Sequence, residues 1–349
     1  MVILRNPEVS DHPEPTLRRG RLRRWGRKLG IVLVAILVVI GALSVYGFFT
    51  GAPGVGHFRS AGGRADYVGF YEEAMRQLPE PAATHDVATS YGIVRVYEWS
   101  TPATADEVPV VLLPGRSSGV PMWAENLPGF VESHRVLAFD ALGDAGLSVQ
   151  SAPLYGFDDQ AAWIDEVISE LAPEGIHLVG HSFGGATAAT YARLHPERVR
   201  SLSLLEPVFT FAYPPPAMLW WATVASLPGI PDGVREHALS RIGGTDEEWA
   251  EGDDADPVAL MIASGTEHFN AVLPTPSVLS DEQAERLTMP VYVAIAGQDS
   301  LAGGAELAEK VSGLLPHAQV QLWEDATHSL PMQEADELRA VLEEFWATA

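Results

Sequence analysis

The chain contains no cysteine. That excludes disulfides, thiolate metal sites and a thiol nucleophile. It is also short of positive charge. Its 349 residues carry 22 Lys+Arg against 46 Asp+Glu, a formal net charge of −24. A nucleic-acid partner needs a basic footprint, and this balance argues against one. There is no Walker loop and no His-Glu-x-x-His pattern, so phosphate-loop and zinc-hydrolase chemistry have no signature here. The Gly54-Val55-Gly56 run follows no strand and is not a phosphate cradle. What is present is an ordinary globular balance, 47% hydrophobic and 19% charged, with length enough for one large domain and a full core.

The charge is unevenly spread. Residues 1–28 hold eight basic and three acidic side chains, a net of +5, which leaves −29 for the remainder. From Leu29 to Phe58 there is no Asp, Glu, Lys or Arg, and Leu29 to Phe49 is nearly all apolar. About 20 such residues at ~1.5 Å each span a ~30 Å hydrocarbon core. A buried core helix of that length would keep a polar face. The reading is an uncleaved single-pass transmembrane anchor over 29–49. Residues 1–28 then form a cytoplasmic tail, and the acidic bulk lies outside. A cleaved signal peptide releasing a secreted chain is the alternative, although its small-residue site after Ala52 is followed by Pro53. Residues 50–84 read as a Gly-rich linker and a helix. In the helical pattern Ala65–Leu78, residues Tyr67, Phe70, Tyr71, Ala74 and Leu78 share one stripe.

From residue 85 on, short apolar strands alternate with helical patterns. His85–Ser100 reads as two strands about Tyr91-Gly92. Strands follow at Val108–Leu113, Arg135–Asp140, Ile176–Gly180, Val199–Glu206, Val291–Gly297 and Gln319–Trp323. Helical patterns cover Asp158–Leu171, Phe183–Leu194, Gly303–Leu315 and Pro331–Trp346. This order predicts an α/β fold: a mostly parallel sheet with helices on both faces and catalytic groups at the carboxyl ends of strands. Roughly 80 residues separate Glu206 from Val291, too many for a plain connection. They predict an inserted, mainly helical cap over about 209–289. Within it, Asp253, Asp254 and Asp256 lack the spacing of a calcium loop and read as a solvated cap segment.

Gly-x-Ser-x-Gly occurs twice, at Gly115–Gly119 and Gly180–Gly184. The chemistry needs a strand, a sharp turn carrying the Ser, then a helix, with small residues where backbones approach. Only the second copy has that context: Ile176–Val179 before it, then Gly184, Gly185 and Ala186 opening a helix. Ser182 is the candidate nucleophile. Ser117 reads as a loop residue that orders its own loop. A serine hydroxyl needs a base, and the base an orienting carboxylate. His328 follows the last short strand and is the candidate base, while His181, His177 and His195 read as packing or surface residues. For the acid, Asp299 directly after Val291–Gly297 is favoured, and Glu206, ending the strand after the nucleophile helix, is the alternative. Asp140 reads as a turn residue shaping the floor of the site.

Taken together, GHSFGG, LLPGRSS, DALGDAGLS, AGQDS and ATHSLP, in that order, resemble the α/β-hydrolase superfamily over roughly residues 85–349. The likeness is to membrane-anchored or secreted bacterial esterase-like members. It implies a serine hydrolase acting on an ester-type bond through an acyl-enzyme. The backbone amides of Arg116 and Phe183 would form the oxyanion hole, and no metal or organic cofactor would be required. Pro114 stands where many relatives have His. Peptidase, thioesterase, lactonase and carbon–carbon hydrolase chemistry use the same triad, and a non-catalytic binding protein on the same fold is the remaining alternative. Aromatic residues Phe209, Phe211, Tyr213, Trp220 and Trp221 in the cap fit either an apolar small-molecule ester or ordinary packing.

Overall fold

The structure is a computed structural model that describes residues 54–227, 229–244 and 256–349. The basic tail, the apolar run 29–49, residues 50–53, Asp253 and Asp254 lie outside the described residues. Among the described residues, no helix is long and apolar enough to cross a membrane.

Among the described residues eleven strands occur in chain order: β1 His57–Phe58, β2 Ala83–Thr89, β3 Gly92–Trp99, β4 Val110–Leu113, β5 Val136–Phe139, β6 Val149–Gln150, β7 Ile176–His181, β8 Val199–Leu205, β9 Phe269–Asn270, β10 Val291–Ala296 and β11 Gln319–Trp323. The main sheet has the order β11-β10-β8-β7-β4-β5-β3-β2, with β6 paired to β3. The pairs from β11 across to β5 are parallel, and β5-β3-β2 are antiparallel.

The sequence explains this division. Every residue of β4, β5 and β10 is buried, the pattern of strands covered on both faces. β3 sits nearer the edge and alternates: Val94 and Val96 are buried, while Ile93 is exposed. Two apolar clusters lie on opposite faces of the sheet. One joins Val111, Leu178 and Val293 to Trp163 and Ile164 of the Phe157–Leu171 helix. The other joins Leu112, Val179 and Ala294 to Tyr67, Tyr71 and the terminal Ala335–Ala347 helix. Each fully buried aliphatic side chain stabilises the fold by about 1.5–3 kcal/mol.

Two helices differ from the sequence reading. The helix expected from Ala65 starts at Ala61, because Ser60 caps it and accepts from the Gly63 amide at 3.0 Å. Its Tyr67, Tyr71 and Ala74 pack on the main domain. The single helix expected over Pro331–Trp346 is broken into Leu330–Gln333 and Ala335–Ala347. Asn126 takes the Pro331 carbonyl at 2.7 Å, a group that a continuous helix would have used. The short strands β1, β6 and β9 carried no sequence pattern of their own.

Between β8 and β10 the chain forms helices Pro216–Ser226, Asp232–Gly243 and Pro257–His268, then the turn Asp281–Ala284. Asp256 caps the third of these, accepting from Val258 N at 3.0 Å. All the loops leaving the parallel strands at their carboxyl ends lie on one edge of the sheet, and that edge carries the candidate site.

Candidate active site

Ser182 sits between β7 and the Phe183–Leu194 helix with φ 54° and ψ −121°. This is a left-handed conformation that an L residue adopts only under constraint. The constraint is the close approach of neighbouring backbone. A Cβ on Gly184 would lie 2.4 Å from the Pro114 carbonyl oxygen, and one on Gly180 2.4 Å from that of Gly184. The small residues therefore let the turn pack against the loop after β4. Gly115 in that loop stands against Ser182, since its own Cβ would come within 3.3 Å of the serine Cβ.

His328, in the loop after β11, is buried and brings Nε2 to 2.9 Å from Ser182 Oγ. Its Nδ1 lies 3.1 Å from Oε2 of Glu206. Glu206 follows β8, is fully buried and has φ 46°. A buried carboxylate needs donors to replace water. Here Oε1 accepts from Ala296 N and Ser300 Oγ, both at 2.8 Å. Oε2 accepts from Leu301 N at 3.1 Å and Ala302 N at 3.3 Å, beside the histidine. Ser300 Oγ in turn accepts from the amides of Gly303 and Gly304.

This corrects the favoured assignment of Asp299. Asp299 is exposed, with φ 40°, and the carboxylate on the imidazole belongs to Glu206. The loop after β10 does not deliver its own acid. From Ser300 to Ala302 it wraps around the Glu206 carboxylate and supplies three of its donors. The sequence carried both carboxylates at strand ends; it did not show which one the loop amides would enclose.

Arg116 and Phe183 both border the cavity that opens over Ser182 and His328. The loop holding Arg116 is tied down from below. Ser117, at φ 59°, donates its amide to Asp144 Oδ2 at 2.8 Å, and Gly115 N donates to the Met122 sulfur. Asp140 is fully buried, accepts from Val120 N (2.9 Å), Tyr71 OH (3.2 Å) and Leu147 N (2.7 Å), and so forms the floor. Burial raises the carboxyl pKa values of Asp140 and Asp144.

His181 contributes something the sequence reading left out. Its Nε2 donates to the His328 carbonyl oxygen at 3.0 Å, so it fixes the main chain of the base. Burial, and next the neighbouring His328, push its pKa down to about 3, keeping it neutral. Thr327 and Ser329, on either side of His328, both donate hydroxyls to the Gly243 carbonyl, at 2.8 and 2.9 Å. The end of the Asp232–Gly243 helix thus bears directly on the histidine loop.

The cavity has a volume of about 1310 Å³ and mainly apolar walls, among them Val208, Phe209, Leu219, Ile242 and Ile262. Of the five cap aromatics singled out, Phe209 lines it. Phe211 is in the core, Trp221 stacks edge-on against His237, and Tyr213 and Trp220 face solvent.

Comparison with known proteins agrees with this fold. A family model described as alpha/beta hydrolase fold matches residues 108–335. The chain is 24% identical over 277 residues to the carboxylesterase YbfK of Bacillus subtilis, covering 76% of this chain and 88% of that one. The crystal structure of that carboxylesterase (CesB) superimposes with a TM-score of 0.72 at 21% identity, over 83% of this chain and 100% of the other. The naproxen esterase of B. subtilis gives 0.71 at 20% identity, over 82% and 99%.

Proposed function

This chain belongs to the α/β-hydrolase family and is a hydrolase; from that premise we propose that it cleaves carboxylic esters through an acyl-enzyme, with Ser182, His328 and Glu206 as one catalytic unit. The observation that carries this reading is the unbroken relay Ser182 Oγ, His328 Nε2, His328 Nδ1, Glu206 Oε2, with contacts of 2.9 and 3.1 Å. Glu206 accepts a hydrogen bond from Nδ1–H and stays ionised, which holds the tautomer whose Nε2 is free to take the serine proton and stabilises the imidazolium that forms. Ser182 Oγ then attacks the ester carbonyl, and the backbone amides of Phe183 and Arg116 receive the oxyanion. Each such donor is worth about 3–4 kcal/mol in the transition state. The imidazolium protonates the departing alcohol. Water, deprotonated by the same histidine, releases the acid and restores the serine.

The apolar walls of the cavity support a substrate with an apolar acyl or alcohol part. The names of the relatives, a carboxylesterase and a naproxen esterase, support the ester bond over an amide. The uncharged run Leu29–Phe49 behind a basic cluster supports attachment to a membrane, with the acidic domain on the outer side.

The test is a fluorophosphonate probe together with short-chain nitrophenyl esters. The wild-type chain is expected to label and to turn over ester. Ser182→Ala is expected to do neither. Labelling that survives Ser182→Ala overturns the nucleophile. A wild-type chain that neither labels nor cleaves overturns the enzyme reading. For the anchor, alkaline extraction should leave the full chain in the membrane fraction. A mature chain starting near Pro53 overturns it.

A further inference from the structure

We propose that the face carrying the Pro216–Ser226 helix docks on a lipid bilayer, and that the cavity takes its substrate, a long-chain acyl ester, from that layer. The proposal rests on the ester-hydrolase and anchor readings above.

The chain from Pro207 to Pro231 is 25 residues without a single Asp, Glu, Lys or Arg, in a protein of net charge −24. Within it Tyr213 is 65% exposed, Trp220 62%, Leu227 47% and Leu219 41%. Val234 in the next helix adds to them. Among the described residues only three other large apolar side chains are comparably exposed, and they lie elsewhere: Ile93, Val149 and Tyr155. A soluble surface scatters such residues singly; a cluster marks a contact. Exposed Trp and Tyr beside Leu is the composition that settles at the headgroup level of a bilayer.

The same helix also lines the cavity. Leu219 and Leu227 belong both to its wall and to the exposed surface, and Ala222, Thr223 and Ser226 lie between them. The apolar surface is therefore continuous with the cavity above Ser182. At about 1310 Å³ that cavity exceeds the ~300–1,000 Å³ usual for small-ligand sites, which leaves space for an extended chain.

The start of the described chain selects a bilayer as the occupant. Gly54 lies beside Val272, and the next residues, Leu273 to Pro276, line the cavity. Only four residues separate Gly54 from Phe49, the last of the uncharged apolar run, and the five Cα-to-Cα steps between them reach at most about 18 Å. A chain anchored through that run keeps the cavity rim close to the lipid. An uncharged patch on a strongly acidic domain suits zwitterionic lipid, because anionic headgroups would repel the rest of the domain.

The absence of cysteine makes the test direct. Full-length chain carrying Trp220→Cys is labelled with an environment-sensitive fluorophore and reconstituted in phosphatidylcholine vesicles. The label is expected to shift to the blue and to be quenched by nitroxide-bearing lipid. The same label on Ser312→Cys, near the amino-end edge of the sheet, is expected to stay in water. Separately, the double variant Tyr213→Asp, Trp220→Asp is expected to lose at least tenfold in hydrolysis of a vesicle-borne long-chain nitrophenyl ester. Its hydrolysis of soluble nitrophenyl butyrate should stay within twofold of wild type. A label at 220 that remains in water overturns the docking, whatever the activities. A double variant that keeps its vesicle hydrolysis, or a 220 site covered by another protein and not by lipid, overturns it too. A wild-type chain that cleaves neither ester overturns the hydrolase reading instead, and wash-out at alkaline pH overturns the anchor.

Discussion

Glu206 and His328 are 122 residues apart in the chain, and their side chains meet at 3.1 Å. The carboxylate ends one central strand and the imidazole follows the edge strand, with β10 between them. Its loop, the usual position for an acid, instead closes around Glu206 with Ser300, Leu301 and Ala302.

Ser300 is accordingly a support of the acid. Ser300→Ala removes a hydroxyl that donates to Glu206 and accepts from Gly303 and Gly304. The expected loss is about 1–2 kcal/mol of stability, as one buried hydrogen bond and its unsatisfied partners go. Equilibrium urea unfolding checks it. The kcat for ester should fall while KM holds, because the substrate does not touch this residue.

The nucleophile turn predicts a contrast between two glycines. Gly184→Ala would set a Cβ 2.4 Å from the Pro114 carbonyl oxygen and 2.5 Å from that of Leu113. The loop after β4 must then move, at a cost of about 1–3 kcal/mol, and kcat should drop with it. Gly69→Ala, within the Ala61–Met75 helix, meets nothing within 4 Å. It should stabilise the fold by up to ~1 kcal/mol with activity unchanged. Thermal melts and ester kinetics on the pair test this.

Acid should weaken the fold through its neutral histidines. Burial lowers the pKa of His177 to about 4 and that of His181 to about 3, from 6.5. The unfolded chain therefore takes up protons first as pH falls. The stability that depends on these groups is complete above about pH 6.5 and is lost progressively toward pH 4 and 3. Asp140 and Asp144 act with the opposite sign. Their raised values mean that the stability they withhold at neutral pH returns as pH falls through the folded values toward 3.8. A variant comparison separates the two. His177→Gln should flatten the decline between pH 6.5 and 4 relative to wild type, as read by urea midpoints at each pH. An unchanged decline contradicts the assignment.

Much of this site is legible in the sequence, and the reason is local. Ser182 is specified by its own neighbours: an apolar strand before it, glycines around it and an alanine-rich helix after it. His328 is placed by the short strand ahead of it. These are short-range requirements of backbone geometry, and spacing reports them. The acid is different. Asp299 and Glu206 occupy equivalent positions at the ends of adjacent strands, and what separates them is long-range: which carboxylate is buried and which the amides of residues 301–302 face. No period or motif encodes that. The same holds for the Gly243 carbonyl, which ties a cap helix to Thr327 and Ser329 across more than eighty residues of chain. Helix starts fall between these cases. The apolar stripe reported the helix from Ala65, while its start at Ala61 is set by the Ser60 cap, which lies outside that stripe.

The acid assignment is the part of the account on which the rest depends, and one comparison tests it most directly. kcat/KM for a soluble nitrophenyl ester is measured for wild type, Glu206→Gln and Asp299→Asn, with circular dichroism verifying that each variant is folded. Glu206→Gln is predicted to lose about 10³–10⁴-fold, the scale seen when a buried triad carboxylate is made neutral. Asp299→Asn is predicted to stay within about threefold of wild type, the size of an ordinary surface change. The reverse order, with Asp299→Asn inactive and Glu206→Gln close to wild type, would contradict the account.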